Sequence, residues 1–471
     1  MSIDMIPDRS RAAFAATVVA NLFPLVGVFG LGWNAGTLVF VYTAELLVAV
    51  LSAGLKALFA QQPPNYDRLE NAHGESLLDE REGKTKTEPD SLDRRLGCIE
   101  LVDPLPPVYP RAVPSLSSWV GITLLLATIL FGFLAGIVEP LEAVTDPAVA
   151  ASAVSLAVSH VAVIDRQYLR ERGYETATPE SVFAVPVQQA VVVAAVLLLA
   201  NTRLNTTTFL IVIVAVKTLV DWGGYRDDGL FGWFTQPRVD RTCREVNSPE
   251  EPVTTTVCPN QHTVLLAGVT RAVTRTLTLS PVLLAVWLAL AFLVSASVNW
   301  LAVTLVVFGL VPLVIVVLET VEYSLTHGWM VYQRRGETLV AHDRLTDTPQ
   351  WTVTVGEFQS AKLHDRQFAD RVFDTRTLAV TPIGADRERT LAHVRSATQA
   401  VDAFTLPLVE TDYDPFEWRV GSTVLLAAVI AVGVQVALVV TPAGPQGVWV
   451  ALPFSLPATV RLAQKLWAAA Y

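Results

Sequence analysis

The chain has 471 residues, 52% hydrophobic and 17% charged, with a formal net charge of −10. That acidic balance repels phosphate backbones and argues against nucleic acid as a partner. Cys98, Cys243 and Cys258 are too few and too scattered for a disulfide framework.

Apolar blocks of about the length that crosses a bilayer fall near 12–32, 37–59, 117–138, 147–165, 183–200, 206–222, 279–296, 300–320, 420–440 and 446–462. They predict an all-α polytopic membrane protein of about ten transmembrane helices, with one small inserted β-rich domain. The start "MSIDMIPDRSR" lacks a compact basic region, so no cleaved signal peptide is expected. Lys and Arg gather in the loops 61–116, 166–182, 223–278 and 321–419, while Arg203 is the one basic residue in an outside loop. That bias predicts a cell-membrane protein with both termini and residues 322–405 cytoplasmic. Acid-rich loops and a preference for Arg over Lys are the style of a salt-adapted, GC-rich organism.

In chain order the prediction is a six-helix membrane unit over 12–222, interrupted by a charged, Pro-rich and irregular loop at 61–116. A cytoplasmic linker follows at 223–278, containing a possible strand "VTTTV" and an amphipathic stretch "VLLAGVTRAVTRTL". A transmembrane pair over 279–320 leads into the β-rich domain 322–405, and a second pair over 420–462 ends the chain. Within the β-rich domain "WMVYQR", "TLVAHDRL", "WTVTV", "FQSAKLHD", "TLAVTPI" and "TLAHV" read as strands, most of them alternating apolar with polar. Turns at "RGE" and "GADRER" separate some of them, and "RSATQAVDAF" reads as a closing helix.

Two resemblances bear on these segments. The strand order and "FADRVFDTRTLAV" resemble the bacterial pleckstrin-homology-like domain, in which a similar Leu-Phe-Gly-Thr-Gly-Thr-Val turn enters a strand. Here Asp374 and Arg376 stand where that pattern has glycines. From Asn21 to Asp228, "NLFPLVGVFGLGW", "VYTAELL", "SHVAVIDRQYL" and "VKTLVDW" resemble a family of prokaryotic multi-pass membrane proteins, common in halophilic archaea, known only as a domain of unknown function. This second resemblance implies membrane location and brings no activity or substrate.

Four polar residues interrupt the apolar runs of the first unit: Asn21, Glu45, His160 and Lys217. A charge at bilayer depth costs about 3 kcal/mol or more unless paired, and counting along the helices places the four at nearly one depth. Glu45 and Lys217 are therefore expected to pair, with His160 and Asn21 beside them and Tyr42 near enough to join. Such a cluster serves as packing glue or as an ion pathway, and glue is the commoner use.

Other constellations are weaker. Cys258 and His262 are four apart in "CPNQH", a spacing that matches no standard zinc pattern, so no metal site is expected. "EGKTKT" lacks the earlier Gly of a phosphate loop, and HExxH, GxSxG and kinase signatures are missing. His342 and Asp343 in "VAHDRL" read as surface residues of a strand. These points predict no catalytic residues and no cofactor. The expected function is a non-enzymatic scaffold or interaction protein whose partners are membrane lipids and a protein bound by 322–405. The alternative is a secondary transporter or channel using Glu45, Lys217 and His160.

Overall fold

The computed structural model describes residues 35–63, 92–102, 105–117, 164–183, 246–276, 300–364, 367–383 and 388–408, with scattered positions between 18 and 30, 119 and 123, 158 and 161, 186 and 219, and 422 and 426. The chain divides into two compact units.

The first unit is organised on helix α1, Ala35–Leu58. Leu46, Val50, Ala53 and Ala57 are buried on one face, while Leu51 and Leu55 are exposed on another, the division expected of a helix with one packed stripe. Small residues let neighbours approach closely: a Cβ added to Gly54 would lie 3.4 Å from Leu116 Cδ1. The last carbonyls of a helix have no partner within it. Two of them are met from distant parts of the chain: the Tyr168 hydroxyl donates to the Lys56 carbonyl at 2.7 Å, and the Tyr109 amide donates to that of Leu58 at 3.1 Å. Tyr168 is presented by a π-helical turn, Ile164–Arg170.

The second unit is built on two antiparallel sheets. Strands β1 (Val253–Val257), β2 (Met330–Arg335), β3 (Thr338–Asp343) and β4 (Thr348–Thr354) form one sheet in that order, and β5 (Phe358–Leu363), β6 (Arg376–Pro382) and β7 (Arg389–Val394) form the other. The strand β1 thus reaches β2 from outside the 322–405 stretch, pairing Val257 with Tyr332. Leu339, Trp351, Leu378, Leu391 and Phe404 lie in the shared core, where each fully buried large side chain stabilises by about 1.5–3 kcal/mol. The buried Tyr332 joins the sheets through its hydroxyl, which donates to the Thr390 carbonyl at 3.0 Å and accepts from the Ala392 amide at 3.1 Å.

Four helices accompany these sheets among the described residues. Helix α2 spans residues 261–276, and Asn260 caps it: its side chain accepts from the His262 amide at 3.2 Å. The long helix α3 runs over Trp300–His327, and its part from Pro312 onward belongs to this unit; it touches α2 where Gly268 meets Tyr323, and a Cβ on Gly268 would stand 3.3 Å from that side chain. The short helix α4, Phe368–Phe373, lies between β5 and β6 in the sequence. Helix α5, Ala397–Phe404, is capped by Ser396 and buries Ala397, Ala400 and Phe404.

This architecture corrects the expected fold class. Seven antiparallel strands make the chain other than all-α. Among the described residues no helix is long and apolar enough to cross a membrane. Helix α1 carries the charged residues Glu45 and Lys56. Helix α3 has Pro312 inside it and carries Glu319 and Glu322 toward its end. The multi-pass topology and the cell-membrane placement derived from the apolar runs are therefore not supported.

Candidate functional site

The second unit holds a fully buried polar cluster. Its centre is His393 on β7, with a backbone φ of +49°, a conformation that costs about 1–3 kcal/mol for a non-glycine residue. Hydrogen bonds on both sides hold it there. Its amide donates to Thr377 Oγ1 at 3.2 Å, and its carbonyl accepts from the Asn260 amide at 2.9 Å. The imidazole faces inward between two helices. Its Nδ1 lies 2.7 Å from Asp370 Oδ1 and its Nε2 lies 2.8 Å from the Tyr323 hydroxyl.

Asp370 is placed by its own helix. It is the third residue of α4 and shares a capping box with Gln367, while Thr375 Oγ1 donates to its Oδ1 at 2.6 Å. Burial pushes the Tyr323 hydroxyl up to about 12, so it stays protonated and donates to Nε2. That leaves Nδ1–H to donate to the carboxylate, a directed Tyr–His–Asp relay. One turn along α3, the His327 ring lies 4.6 Å from that of Tyr323 and 6.4 Å from that of His393. Burial first, then the neighbouring His393, Arg271 and Arg95, push His327 down to about 3. It is a neutral spacer at physiological pH.

A second buried charge sits nearby in the same unit. The Arg95 Nε lies 3.0 Å from Asp343 Oδ2, and both side chains are essentially without solvent contact. The guanidinium also donates to the Leu325 carbonyl and, at 3.2 Å, to that of Thr326 at the end of α3. Asp343 was expected at the surface and is instead fully buried, because the chain around Arg95 covers it. The side chain of His342 pairs at 3.0 Å with Asp347.

Residues 5–231 match a family described as a family of unknown function (DUF6498). No curated protein and no solved structure matches the chain. The matched part holds α1 and Arg95, and the Tyr323–His393–Asp370 relay lies beyond it. The match brings no activity, habitat or membrane topology with it.

Of the four residues expected to cluster in the first unit, Asn21, His160 and Lys217 lie outside the described residues. Glu45 is half-buried on α1. Its charge acts on Tyr42, three residues earlier, whose hydroxyl is pushed up mainly by burial and additionally by Glu45. Among the described residues no group of three or more His, Cys, Asp and Glu could hold a metal ion. Cys258 is exposed, while Cys243 and the "EGKTKT" stretch lie outside the described residues.

Sequence reasoning missed the relay and the Arg95 slot. "EYSLTH" places Tyr323 and His327 four apart on one helix face, and Gln367 with Asp370 is a capping-box spacing. Those two signals were legible. No spacing joins either to His393.

Proposed function

We propose that the protein is a non-enzymatic scaffold whose sheet domain docks a protein partner. The observation that carries this reading is the outer face of α4. This helix buries Ala369 and Asp370, yet leaves Phe368 and Val372 exposed at 48% and 52%, with Phe373 next to them at 38%. Exposed apolar side chains grouped on one short helix, backed by a rigid buried network, suit a binding surface. The Asp370, His393 and Tyr323 side chains of that network face one another in the interior, an arrangement suited to stiffening α4 against β7. A four-stranded and a three-stranded antiparallel sheet followed by one helix also support the pleckstrin-homology-like resemblance, whose members are thought to act in interaction. Photocrosslinking from position 372 of the full chain in cell extract should give discrete protein adducts, and Phe368→Ser should remove them. Adducts that are indifferent to this change would count against the surface.

A second reading rests on a separate observation. Leu265, Val269 and Val273 on α2, and Leu313, Val317 and Val321 on α3, recur every four residues and are exposed. These stripes support lipid as a further partner class, through contact along the helix faces. Flotation with lipid vesicles should be lost in a Leu265→Ser, Val269→Ser, Val273→Ser variant; unchanged flotation would sink this reading.

A further inference from the structure

The residues around Arg95 are held by the sheet domain in a manner that suits peptide recognition. Residues Leu92–Arg94 form a single 3-10 turn, and Leu92 is buried. Arg95 then enters a slot with three acceptors: the Asp343 carboxylate and the Leu325 and Thr326 carbonyls. These carbonyls end α3, where the helix dipole adds further negative potential. Such a fork of acceptors matches the planar guanidinium and cannot be met in the same way by an ammonium.

Leu96 is held by its backbone. Its amide donates to Gln350 Oε1 at 2.8 Å. Its carbonyl accepts from Thr348 Oγ1 and Gln350 Nε2, each at 3.1 Å, and from Thr346 Oγ1 at 3.3 Å. Gly97 follows with φ +90°, and a Cβ there would come within 2.7 Å of both Thr346 and Thr348. The domain thus reads an arginine side chain, then the backbone of any residue, then a glycine.

We infer that the β3–β4 hairpin and the end of α3 form a peptide-binding site for an Arg-any-Gly segment. Residues 92–97 fill it within the chain, and a partner segment of the same chemistry replaces them. The inference rests on the scaffold reading for its biological use, but it concerns a different surface from α4. The contacts at Arg95 and Leu96 are hydrogen bonds and an ion pair. Such a grip can be exchanged for an equivalent one, because the incoming arginine restores each bond that the departing one gives up.

The test uses a fluorescent peptide of residues 90–97 and the full-length chain as wild type, Arg95→Ala and Gly97→Ala, read by anisotropy. The peptide is expected to bind both variants at least about tenfold more tightly than wild type, since the internal competitor is weakened. A peptide carrying Arg95→Lys should lose about tenfold or more of that affinity. Variants that retain a cooperative unfolding transition yet bind no peptide would overturn the inference. So would equal binding of the Arg and Lys peptides. Loss of cooperative unfolding in both variants would also overturn it, by showing residues 92–97 to be an integral part of the fold. None of these outcomes depends on crosslinking from position 372, so this inference and the α4 surface can fail separately.

Discussion

The relay and the Arg95 slot are both buried and charged, and both lie in the second unit, yet they are closed in different ways. The relay is assembled from α3, α4 and β7, elements that the sheets and their helices hold in place whatever the relay contributes. In the slot, Asp343 and the α3 carbonyls belong to the domain, but the arginine arrives from about 230 residues earlier in the chain. A buried charge whose partner cannot leave is a fixed commitment of the fold. One whose partner can leave exposes its acceptors to water, which re-solvates them.

The largest expected effect tests that difference directly. Asp370→Ala leaves His393 and Thr375 without their shared acceptor in a site with no solvent contact. A loss of about 3–5 kcal/mol is expected in chemical denaturation. Arg95→Ala should cost less, about 1–3 kcal/mol, because Asp343 regains water when residues 92–97 release. Equal losses would show that the slot is as sealed as the relay and would break the comparison.

Much of the sheet domain was legible in the sequence. Period-two alternation found strands such as "WTVTV" and "TLAVTPI", because each buries a face whose spacing the chain itself displays, and "RSATQAVDAF" was legible as the closing helix. The polar sites were not legible in this way. Alternation predicts one inward residue in two, whereas Leu391, Ala392, His393 and Val394 are all buried, with φ +49° at His393 breaking the period. Arg95 lay in a charged stretch without period, and nothing local marks which of Arg94 and Arg95 is to be buried. The apolar runs over 37–59 and 300–320 did predict helices α1 and α3, but a run of apolar residues reports burial or contact before it reports what does the covering.

Acid should separate the two sites next. His327 is neutral in the fold and titrates near 6.5 when unfolded. Its contribution is therefore complete above pH 6.5 and is lost as pH falls through the window from 6.5 toward 3, because the unfolded chain takes up the proton first. By pH 5 roughly 2 kcal/mol should be gone, read as a drop in the denaturation midpoint. The groups facing this imidazole are Tyr323, His393, Arg271 and Arg95. His327→Gln should flatten the slope, and a slope unchanged in that variant would assign the acid sensitivity elsewhere. Tyr323→Phe comes below it in size: deleting the hydroxyl that bonds Nε2 should cost about 1–2 kcal/mol. Combined with His393→Gln, its effect should be less than additive, since both changes remove the same bond.

The smallest effect concerns the turn that delivers Thr375 to the relay. Asp374 ends α4 with φ +50°, where glycine is the usual choice. The conformation is retained here by an aspartate that pairs with Arg376 at 2.8 Å. That pair is largely exposed on the Asp374 side, so it offsets little of the backbone cost. Asp374→Gly should therefore stabilise the domain slightly, by about 0.5 kcal/mol, with the relay unchanged. A loss of stability would mean that the Asp374–Arg376 pair holds Thr375 on Asp370, which would extend the relay outward to the domain surface.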